Sequence, residues 1–248
     1  MAAAVKLHRH VGRRGAARFL AEGPNLVEAA LRRGLVSEVF VTEYALSRFG
    51  SMLTDVPVHL VTERAAKALS DTVTPVGLVA VCSVPEASLH DVLAESPRLV
   101  AVAVEISEPG NAGTLIRIAD AMGADAVVLA GHSVDPYNGK CLRASAGSIF
   151  SVPVLADPDA AAVAGALTDA GLQVLATTVD GEVSLDDAAL EAPTAWLFGP
   201  EAHGLPTDLA ELATHRVRIP MPGNSESLNV ASAAAICLYQ SARAHRAS

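Results

Sequence analysis

Cysteine is scarce in this sequence, and its placement excludes the sites that cysteine usually builds. The 248 residues include three cysteines, Cys82, Cys141 and Cys237, each in or beside apolar sequence. No two of them have the short spacing of a zinc-ligand pair, and an odd number so widely spread does not predict a disulfide framework. The His, Cys and Asp residues show no metal-ligand spacing elsewhere. We therefore predict three buried free thiols and no metal site.

Long apolar runs are missing too. No segment reaches the roughly 20 apolar residues that a membrane-spanning helix needs, and residues 1–5 are too short for the apolar core of a signal peptide. The sequence therefore predicts a cytoplasmic protein. Because 51% of the residues are hydrophobic, the chain can bury a sizeable core, and its length suffices for two domains.

Positive charge is in deficit, with 18 Lys and Arg residues against 27 Asp and Glu residues and a net charge of −9. Residues 1–97 hold ten of each sign, so the whole deficit falls in residues 98–248. Five basic residues precede the first acidic one: Lys6, Arg9, Arg13, Arg14 and Arg18. Such a segment is either a contact for nucleic-acid phosphates or a frayed chain terminus, and its charge alone does not decide between the two.

The spacing of apolar residues divides the chain into two parts. In residues 1–84 short helices alternate with short strands, which predicts a small layered α/β domain. Residues 85–97 are rich in Pro, Ser, Glu and Asp and are predicted to form a linker. Residues 98–248 alternate apolar strands with helices, as in a parallel sheet covered on both faces. We predict strands at 99–104, 126–130, 152–155, 172–177, 194–198 and 217–219, with ligands beyond their carboxyl ends.

The loop after the first of these strands contains Glu108-Pro109-Gly110-Asn111 and precedes a helix predicted at 112–122. Asn111 is a suitable N-cap, and Arg117 would be solvated on the face opposite the apolar stripe. The same loop could instead bind an anion such as phosphate, because a helix N-terminus presents free N–H groups and an arginine adds a bidentate clamp. Both interpretations stay open.

Two later segments also carry polar insertions. Segment 198–205 places Glu201 and His203 between glycines at the end of a predicted strand, and because His203 has no recognisable catalytic partner we predict a structural role for it. Segment 219–231 places Ser225, Ser227 and Asn229 around the start of a helix predicted at 228–239. That helix is apolar on nearly all sides, as a buried helix is. Its polar residues either cap it or form a ligand loop.

The three segments, taken in order, resemble the motifs of a known family. They are Glu-Pro-Gly-Asn-Ala-Gly-Thr-Leu-Ile-Arg (108–117), Phe-Gly-Pro-Glu-Ala-His-Gly-Leu (198–205) and Ile-Pro-Met-Pro-Gly-Asn-Ser-Glu-Ser-Leu-Asn-Val-Ala (219–231). They are similar to the motifs of the SpoU (TrmH-type) RNA ribose 2′-O-methyltransferases of the SPOUT class, and the resemblance extends over residues 98–243. Residues 1–84, through segments 19–23 and 73–78, resemble the substrate-binding domain of many members, a small α/β/α fold akin to certain ribosomal proteins.

The resemblance implies a fold, a cofactor and an assembly. The parallel sheet would end in a deep trefoil knot, in which the C-terminal segment threads through a preceding loop. S-Adenosylmethionine would bind in the knot, mainly to backbone groups, and the C-terminal helix would build a homodimer with the active site at its interface. The implied cofactor-binding positions are Phe198, Gly199, Ile219, Met221, Asn224 and Leu228.

The resemblance also implies a catalytic set centred on Arg117. A ribose 2′-OH would attack the methyl carbon of a sulfonium, so the site must align the two and accept a proton. Arginine side chains stay protonated in proteins, and we therefore favour Arg117 as a clamp for an RNA phosphate over Arg117 as the base. Asn111 and Glu201 would fix Arg117 and the ribose, while Ser227 and Asn229 would shape the floor of the pocket.

We expect RNA to be bound by a local basic surface, since recognition of RNA shape does not require a basic protein as a whole. The predicted RNA contacts are Arg13, Arg14, Arg18 and Arg143. The appended first domain favours 23S ribosomal RNA as the substrate. Two alternatives stay open: a tRNA ribose 2′-O-methyltransferase, and a non-catalytic RNA-binding or assembly protein on the same fold. The second alternative predicts that a catalytic motif residue is lost, whereas all five are present.

Overall fold

The first part of the chain forms a four-stranded sheet flanked by short helices. Its strands are β1 (Arg18–Glu22), β2 (Val36–Val41), β3 (Val58–Leu60) and β4 (Leu78–Ser83), and its helices are α1 (Ala2–Val5), α2 (His10–Ala16), α3 (Pro24–Arg32), α4 (Glu43–Phe49) and α5 (Glu63–Leu69). The strand order is β1-β4-β2-β3, with β4 antiparallel to both neighbours and β3 parallel to β2. The computed structural model describes residues 1–200 and 202–247 of the chain.

The basic N-terminal segment is folded into short helices, so its interpretation as a frayed terminus is wrong. Ala4 and Leu7 are buried against a cluster that includes Leu69 of α5. The chain then turns back so closely that a Cβ at Gly12 would lie 2.0 Å from the carbonyl oxygen of Lys6. Short helices of this kind are held by tertiary packing and not by helix propensity.

The second part forms a seven-stranded sheet. Its strands are β5 (Leu99–Val104), β6 (Ala126–Ala130), β7 (Val154–Asp157), β8 (Gln173–Thr177), β9 (Val183–Ser184), β10 (Thr194–Phe198) and β11 (His215–Arg218), and its helices are α6 (Leu89–Ala94), α7 (Pro109–Ala121), α8 (Gly139–Ser145), α9 (Ala160–Asp169), α10 (Thr207–Glu211) and α11 (Val230–Ala247). The strand order is β7-β6-β5-β10-β8-β11-β9, and each of these pairings is parallel. The predicted parallel sheet is confirmed, while β9 was not predicted.

The C-terminal helix returns from the side of the sheet to its centre. It follows β11, near one edge, yet packs on α7, β5 and β10. In this contact the indole Nε1 of Trp196 donates to the hydroxyl of Ser241 at 2.9 Å, and both side chains are fully buried. On its other side α11 exposes Ile236 and Tyr239. The helix is therefore buried on one broad face, and its exposed face includes two large apolar side chains.

The two parts share one continuous hydrophobic core. The Phe19 ring of β1 lies 4.8 Å from the ring of Tyr137 and 5.9 Å from that of Phe150, measured between centroids. Both partners belong to the second part, where they flank α8. An apolar contact of this kind between two domains opposes their relative motion.

The three cysteines are buried and unpaired, as predicted. Burial raises the pKa of the Cys82 and Cys141 thiols to about 12 and also raises the pKa of Cys237. These groups are therefore neutral and unreactive at neutral pH. Among the helices of the described residues, none combines the length and apolarity needed to cross a membrane.

Replacing Gly113 by Ala should destabilise the packing of α7 on α8. A Cβ at this position would lie 2.3 Å from the carbonyl oxygen of Cys141 and 2.7 Å from Cβ of Ala144. We expect the free energy of unfolding to fall by about 1–3 kcal/mol, as for other overpacked sites, measured by urea denaturation. In the control Gly165→Ala the new methyl group has no atom within 4 Å. Because alanine has the higher helix propensity, the free energy of unfolding of this control should rise by about 1 kcal/mol. An unchanged midpoint for Gly113→Ala would contradict the proposed clash.

Candidate active site

A cavity of about 380 Å³ opens at the carboxyl ends of β8, β10 and β11. These strands are neighbours in the parallel sheet, so the loops that follow them meet at the same edge. The cavity lies where the sequence predicted a ligand. Its lining comes from four parts of the chain: residues 177–180, 199–200 with 202–205, 217–221, and 227–233.

The turn after β10 is tight and depends on glycine. A Cβ at Gly199 would lie 2.6 Å from the amide nitrogen of Leu205, and Gly204 has a φ of 66° in the left-handed region. His203 is exposed and lines the cavity. Glu201, predicted to be catalytic, lies outside the described residues. In the rest of the chain, no cluster of His, Cys, Asp and Glu side chains could hold a metal ion.

Asn229 joins the start of α11 to α7. Its Oδ1 accepts a hydrogen bond from the amide of Ala231 at 3.0 Å, which caps the helix. Its Nδ2 donates to Oδ1 of Asn111 at 3.1 Å. Two predicted catalytic residues that are far apart in sequence are therefore in direct contact, and Asn229 serves both as a cap and as part of this pair.

Glu108, and not Asn111, caps α7, so the predicted N-cap is wrong. The helix begins at Pro109, and Glu108 Oε1 accepts a hydrogen bond from the amide of Gly110 at 3.1 Å. Lys140 Nζ donates to the same oxygen at 2.6 Å. The Lys140 hydrogen bond, and next the Gly110 amide, lower the pKa of the Glu108 carboxyl group. This carboxylate satisfies one of the free amides of the helix N-terminus, and the predicted binding of a phosphate at that place stays a prediction.

Arg117 lies on the exposed face of α7 and is not part of the cavity lining. Across residues 1–200 and 202–247, no hydrogen bond or ion pair involves its guanidinium group. An exposed guanidinium can form two parallel hydrogen bonds to a phosphate. Its position therefore suits a contact with a substrate more than a structural role.

Comparison with known proteins decides which family these segments belong to. The chain matches the model of the SpoU rRNA Methylase family over residues 98–239, more than half of its length, and the model of the MRM3-like substrate binding domain over residues 2–80. The chain belongs to the SpoU rRNA methylase family. This bears out the resemblance that the three motifs indicated.

Relatives and solved structures of this SpoU protein cover nearly its whole length. It is 36% identical over 236 residues to the 23S rRNA (guanosine(2553)-2′-O)-methyltransferase RlmP of Bacillus subtilis, covering 94% of this chain and 92% of that protein. It is 35% identical over 174 residues to the 23S rRNA (uridine(2479)-2′-O)-methyltransferase of Streptomyces viridochromogenes, covering 68% and 61%. The crystal structure of the SpoU methyltransferase AviRb from Streptomyces viridochromogenes, in complex with the cofactor AdoMet, has a TM-score of 0.87 at 28% identity, covering 99% and 98%.

The positions implied for the cofactor divide into two groups. Four line the cavity: Gly199, Ile219, Met221 and Leu228. Phe198 is buried in β10 beneath the cavity, and Asn224 is exposed outside the lining. Ser227, implied as catalytic, also lines the cavity and accepts a hydrogen bond from the Ser225 hydroxyl at its carbonyl oxygen, at 2.8 Å.

The loop after β8 supplies lining residues that the motifs did not indicate. They are Thr177, Thr178, Val179 and Asp180. Thr177 Oγ1 donates to the carbonyl oxygen of Leu197 at 2.9 Å and so ties β8 to β10. This loop carries no recognisable motif. The only sequence feature that could indicate its role is its position after a strand of the parallel sheet. Several loops share that position, and only the strand order shows that this one lies at the cavity.

The four predicted RNA contacts of this SpoU protein differ in how exposed they are and in whether they are already paired. Arg14 and Arg18 are exposed. Arg13 is only 6% exposed, and its Nε and Nη2 donate to Asp135 Oδ2 at 2.7 and 2.6 Å. The prediction of Arg13 as an RNA contact is therefore wrong, because its donors are used within the protein. Arg143 is partly exposed and already paired with Asp71.

Replacing Glu108 by Gln should remove a pH-dependent contribution to stability. Because the folded-state pKa of Glu108 is lower than its ordinary value, the ionised carboxylate stabilises the fold above the unfolded-state pKa. This contribution is lost as pH falls through the folded-state pKa. Urea midpoints of wild type and Glu108→Gln should differ at neutral pH and converge once the pH falls below the folded-state pKa of Glu108. Glu95→Gln, at another exposed carboxylate, is the matched control, and a Glu108→Gln difference that persists in acid would contradict the assignment.

Proposed function

We propose that this protein transfers the methyl group of S-adenosylmethionine to a ribose 2′-hydroxyl of RNA, and that the RNA is 23S ribosomal RNA. The observation that carries the proposal is the 3.1 Å contact between Asn111 and Asn229, which unites the first and third motifs beside the cavity. Two relatives bear the name of 23S rRNA 2′-O-methyltransferases. The first domain would hold the RNA, and a ribosomal RNA substrate would place the protein in the cytoplasm.

The cavity has properties that fit the cofactor. Its volume, about 380 Å³, falls within the range of roughly 300–1,000 Å³ typical of small-molecule sites. Val217, Ile219 and Leu228 supply apolar side chains to the lining, and Gly199 contributes to it from the tight turn after β10. Backbone groups of Gly199, Ile219 and Leu228 would hold the cofactor, which supplies an electrophilic methyl group when bound.

The polar residues would then align and anchor the ribose. Asn111 and Asn229 fix each other, so their amides are set in place before RNA binds and need little reorganisation. Arg117 is exposed beyond them on α7 and would clamp the phosphate next to the reacting ribose, which lowers the freedom of the attacking hydroxyl. Ser227 would contact the ribose from the cavity lining. Glu201 would act beside Arg117, as the second motif implies.

The segments around the cavity support a knotted path for the chain. A Cβ at Gly181, in the loop after β8, would lie 2.6 Å from the amide nitrogen of Arg218. The guanidinium of Arg218 donates to the carbonyl oxygen of Gly181 at 2.8 Å. The loop thus encloses the end of β11 closely, and the chain then turns back to the centre of the sheet. We infer that the segment after β11 threads this loop in a trefoil knot.

A second copy of the chain would complete the site. Ile236 and Tyr239 are exposed on α11, and Arg117 lies on the neighbouring helix α7 outside the cavity of its own chain. A homodimer through α11 would cover the two apolar side chains. It would also bring Arg117 of one protomer towards the cavity of its partner.

Transfer of a labelled methyl group from S-adenosylmethionine tests the function directly. The substrates are total ribosomal RNA and, separately, tRNA from cells that lack this protein. We expect label in 23S rRNA with wild type, and at least about a hundredfold less with Arg117→Ala, since a positioned charge contact is removed. Cofactor binding, measured by calorimetry, should be unchanged in this variant. Arg98→Ala, at an exposed arginine directly before β5 and so at the amino ends of the strands, is the matched control and should keep full activity.

The other outcomes of this experiment are equally specific. Label confined to tRNA would replace 23S rRNA by tRNA as the substrate. Bound cofactor with no label in either RNA would support the non-catalytic alternative. Loss of cofactor binding together with activity in Arg117→Ala would assign Arg117 a folding role.

Arg14 and Arg18 should contribute phosphate contacts in the first domain. Both are exposed, unlike Arg13. Each change to Ala should weaken RNA binding and reduce the slope of log affinity against log salt concentration by about 1. Affinities measured between low and physiological salt give the slope, and Arg98→Ala again serves as the control. An unchanged slope in both variants would remove these residues from the RNA-binding surface.

A further inference from the structure

Two ion pairs of opposite polarity connect the domains at one small cleft. Arg13 of the first domain pairs with Asp135 of the second, and Arg143 of the second pairs with Asp71 of the first. All of these but Asp135 line the cleft between the domains. Each domain thus supplies one cation and one anion. Such a reciprocal arrangement is complementary in a single relative orientation, because sliding either domain brings like charges together.

In the first pair, Arg13 and Asp135 each make further hydrogen bonds within their own domain. Besides its two bonds to Asp135, Arg13 donates from Nη1 to the carbonyl oxygens of Leu7 and His8, at 2.9 and 3.0 Å. Asp135 Oδ1 in turn accepts a hydrogen bond from the amide of Tyr137 at 2.9 Å. An ion pair that uses four of the five N–H donors of Arg13 is directional, whereas the apolar contacts of Phe19 are not. The pair therefore sets the register of an otherwise apolar interface.

In the second pair, the position of Asp71 is fixed by hydrogen bonds from its own domain. Glu22 of β1 accepts hydrogen bonds from the hydroxyl groups of Ser70 and Thr72 and from the amide of Asp71. These bonds fix the loop that presents the Asp71 carboxylate to Arg143. The carboxylate also lies against the start of α8, since a Cβ at Gly139 would be 2.4 Å from Asp71 Oδ2.

Each ion pair holds a part of the second domain that contacts the first motif, either the loop after β6 or helix α8. Asp135 belongs to the loop after β6, in which the amide of Val134 donates to the carbonyl oxygen of Ile106 at 2.9 Å, directly before the motif. Arg143 lies on α8, whose Lys140 bonds to Glu108, the cap of α7. Contacts therefore run without a break from the first domain to the helix that carries Asn111 and Arg117.

We propose that Arg13, Asp71, Asp135 and Arg143 are positioning residues that fix where the first domain presents RNA relative to Asn111 and Arg117. The proposal rests on the proposed function for its consequence in catalysis but not for the domain orientation itself. Residues 84–88 join β4 to α6, and a flexible segment of this length would let the domains move by on the order of 12 Å. Alignment of a single ribose requires far less freedom than that.

A charge exchange at the exposed pair tests the proposal. Asp71→Arg and Arg143→Asp are made singly and together in the full-length protein, because the partly exposed pair tolerates reversal better than the buried one. Spin labels are placed at Ser47→Cys in the first domain and Asp169→Cys in the second, both exposed positions. The native thiols do not compete for label, since they are buried. The distance distribution between labels reports the domain orientation without any need for RNA or activity.

Each single variant should broaden the label distances and raise KM for RNA about fivefold, the upper range for a partly exposed pair. Cofactor affinity should be unchanged. The double variant should restore both the distances and KM. Unaltered distances in both single variants would overturn the proposal. Restored distances with KM still raised would also overturn it, because Arg143 would then bind RNA directly. Absence of methyl transfer by wild type would count against the proposed function alone, since the distances would still test the positioning.

Discussion

The active-site end of the fold depends on the packing of α11 across the centre of the sheet. The buried hydrogen bond from Trp196 to Ser241, 2.9 Å long, fixes this helix on β10. Breaking that bond would leave a buried donor without a partner, which proteins avoid because of the desolvation cost. Since α11 is held there, segment 219–229 must run back across the strand ends. That path closes one side of the cavity and brings Asn229 to Asn111.

The sheet was predictable where its strands are buried on both faces. The strands at 99–104, 126–130 and 194–198 have the bounds that their uninterrupted apolar runs predicted. The edge strand β9 has two residues and no apolar run, so no local pattern could indicate it. At α7 the preference of Asn for N-caps was misleading. Pro109 at the first helical position was the better signal, because proline is favoured there and the preceding residue is then the cap.

The site was predictable in its parts but not in its assembly. The rule for parallel sheets places all three motifs at one edge, and the cavity is found there. The contact between Asn111 and Asn229 depends on the path of α11, which no spacing of residues encodes. The lining from Thr177 to Asp180 depends on β8 lying between β10 and β11, a strand order that local sequence does not contain. Arg13 was misjudged because a run of basic residues does not show which of them will be buried against a distant carboxylate.

The same pairing explains how a protein with a net charge of −9 can act on RNA. Three cations near the first motif and the cleft are already neutralised: Arg13 by Asp135, Arg143 by Asp71 and Lys140 by Glu108. These three pairs remove cations that RNA phosphates could otherwise meet, and non-specific binding falls as fewer phosphates are neutralised. An RNA gains affinity where its shape brings phosphates to the cations that stay exposed and unpaired. Selectivity among RNAs would then depend on the fixed orientation of the two domains. The ion pairs that neutralise Arg13 and Arg143 are the contacts that would hold this orientation.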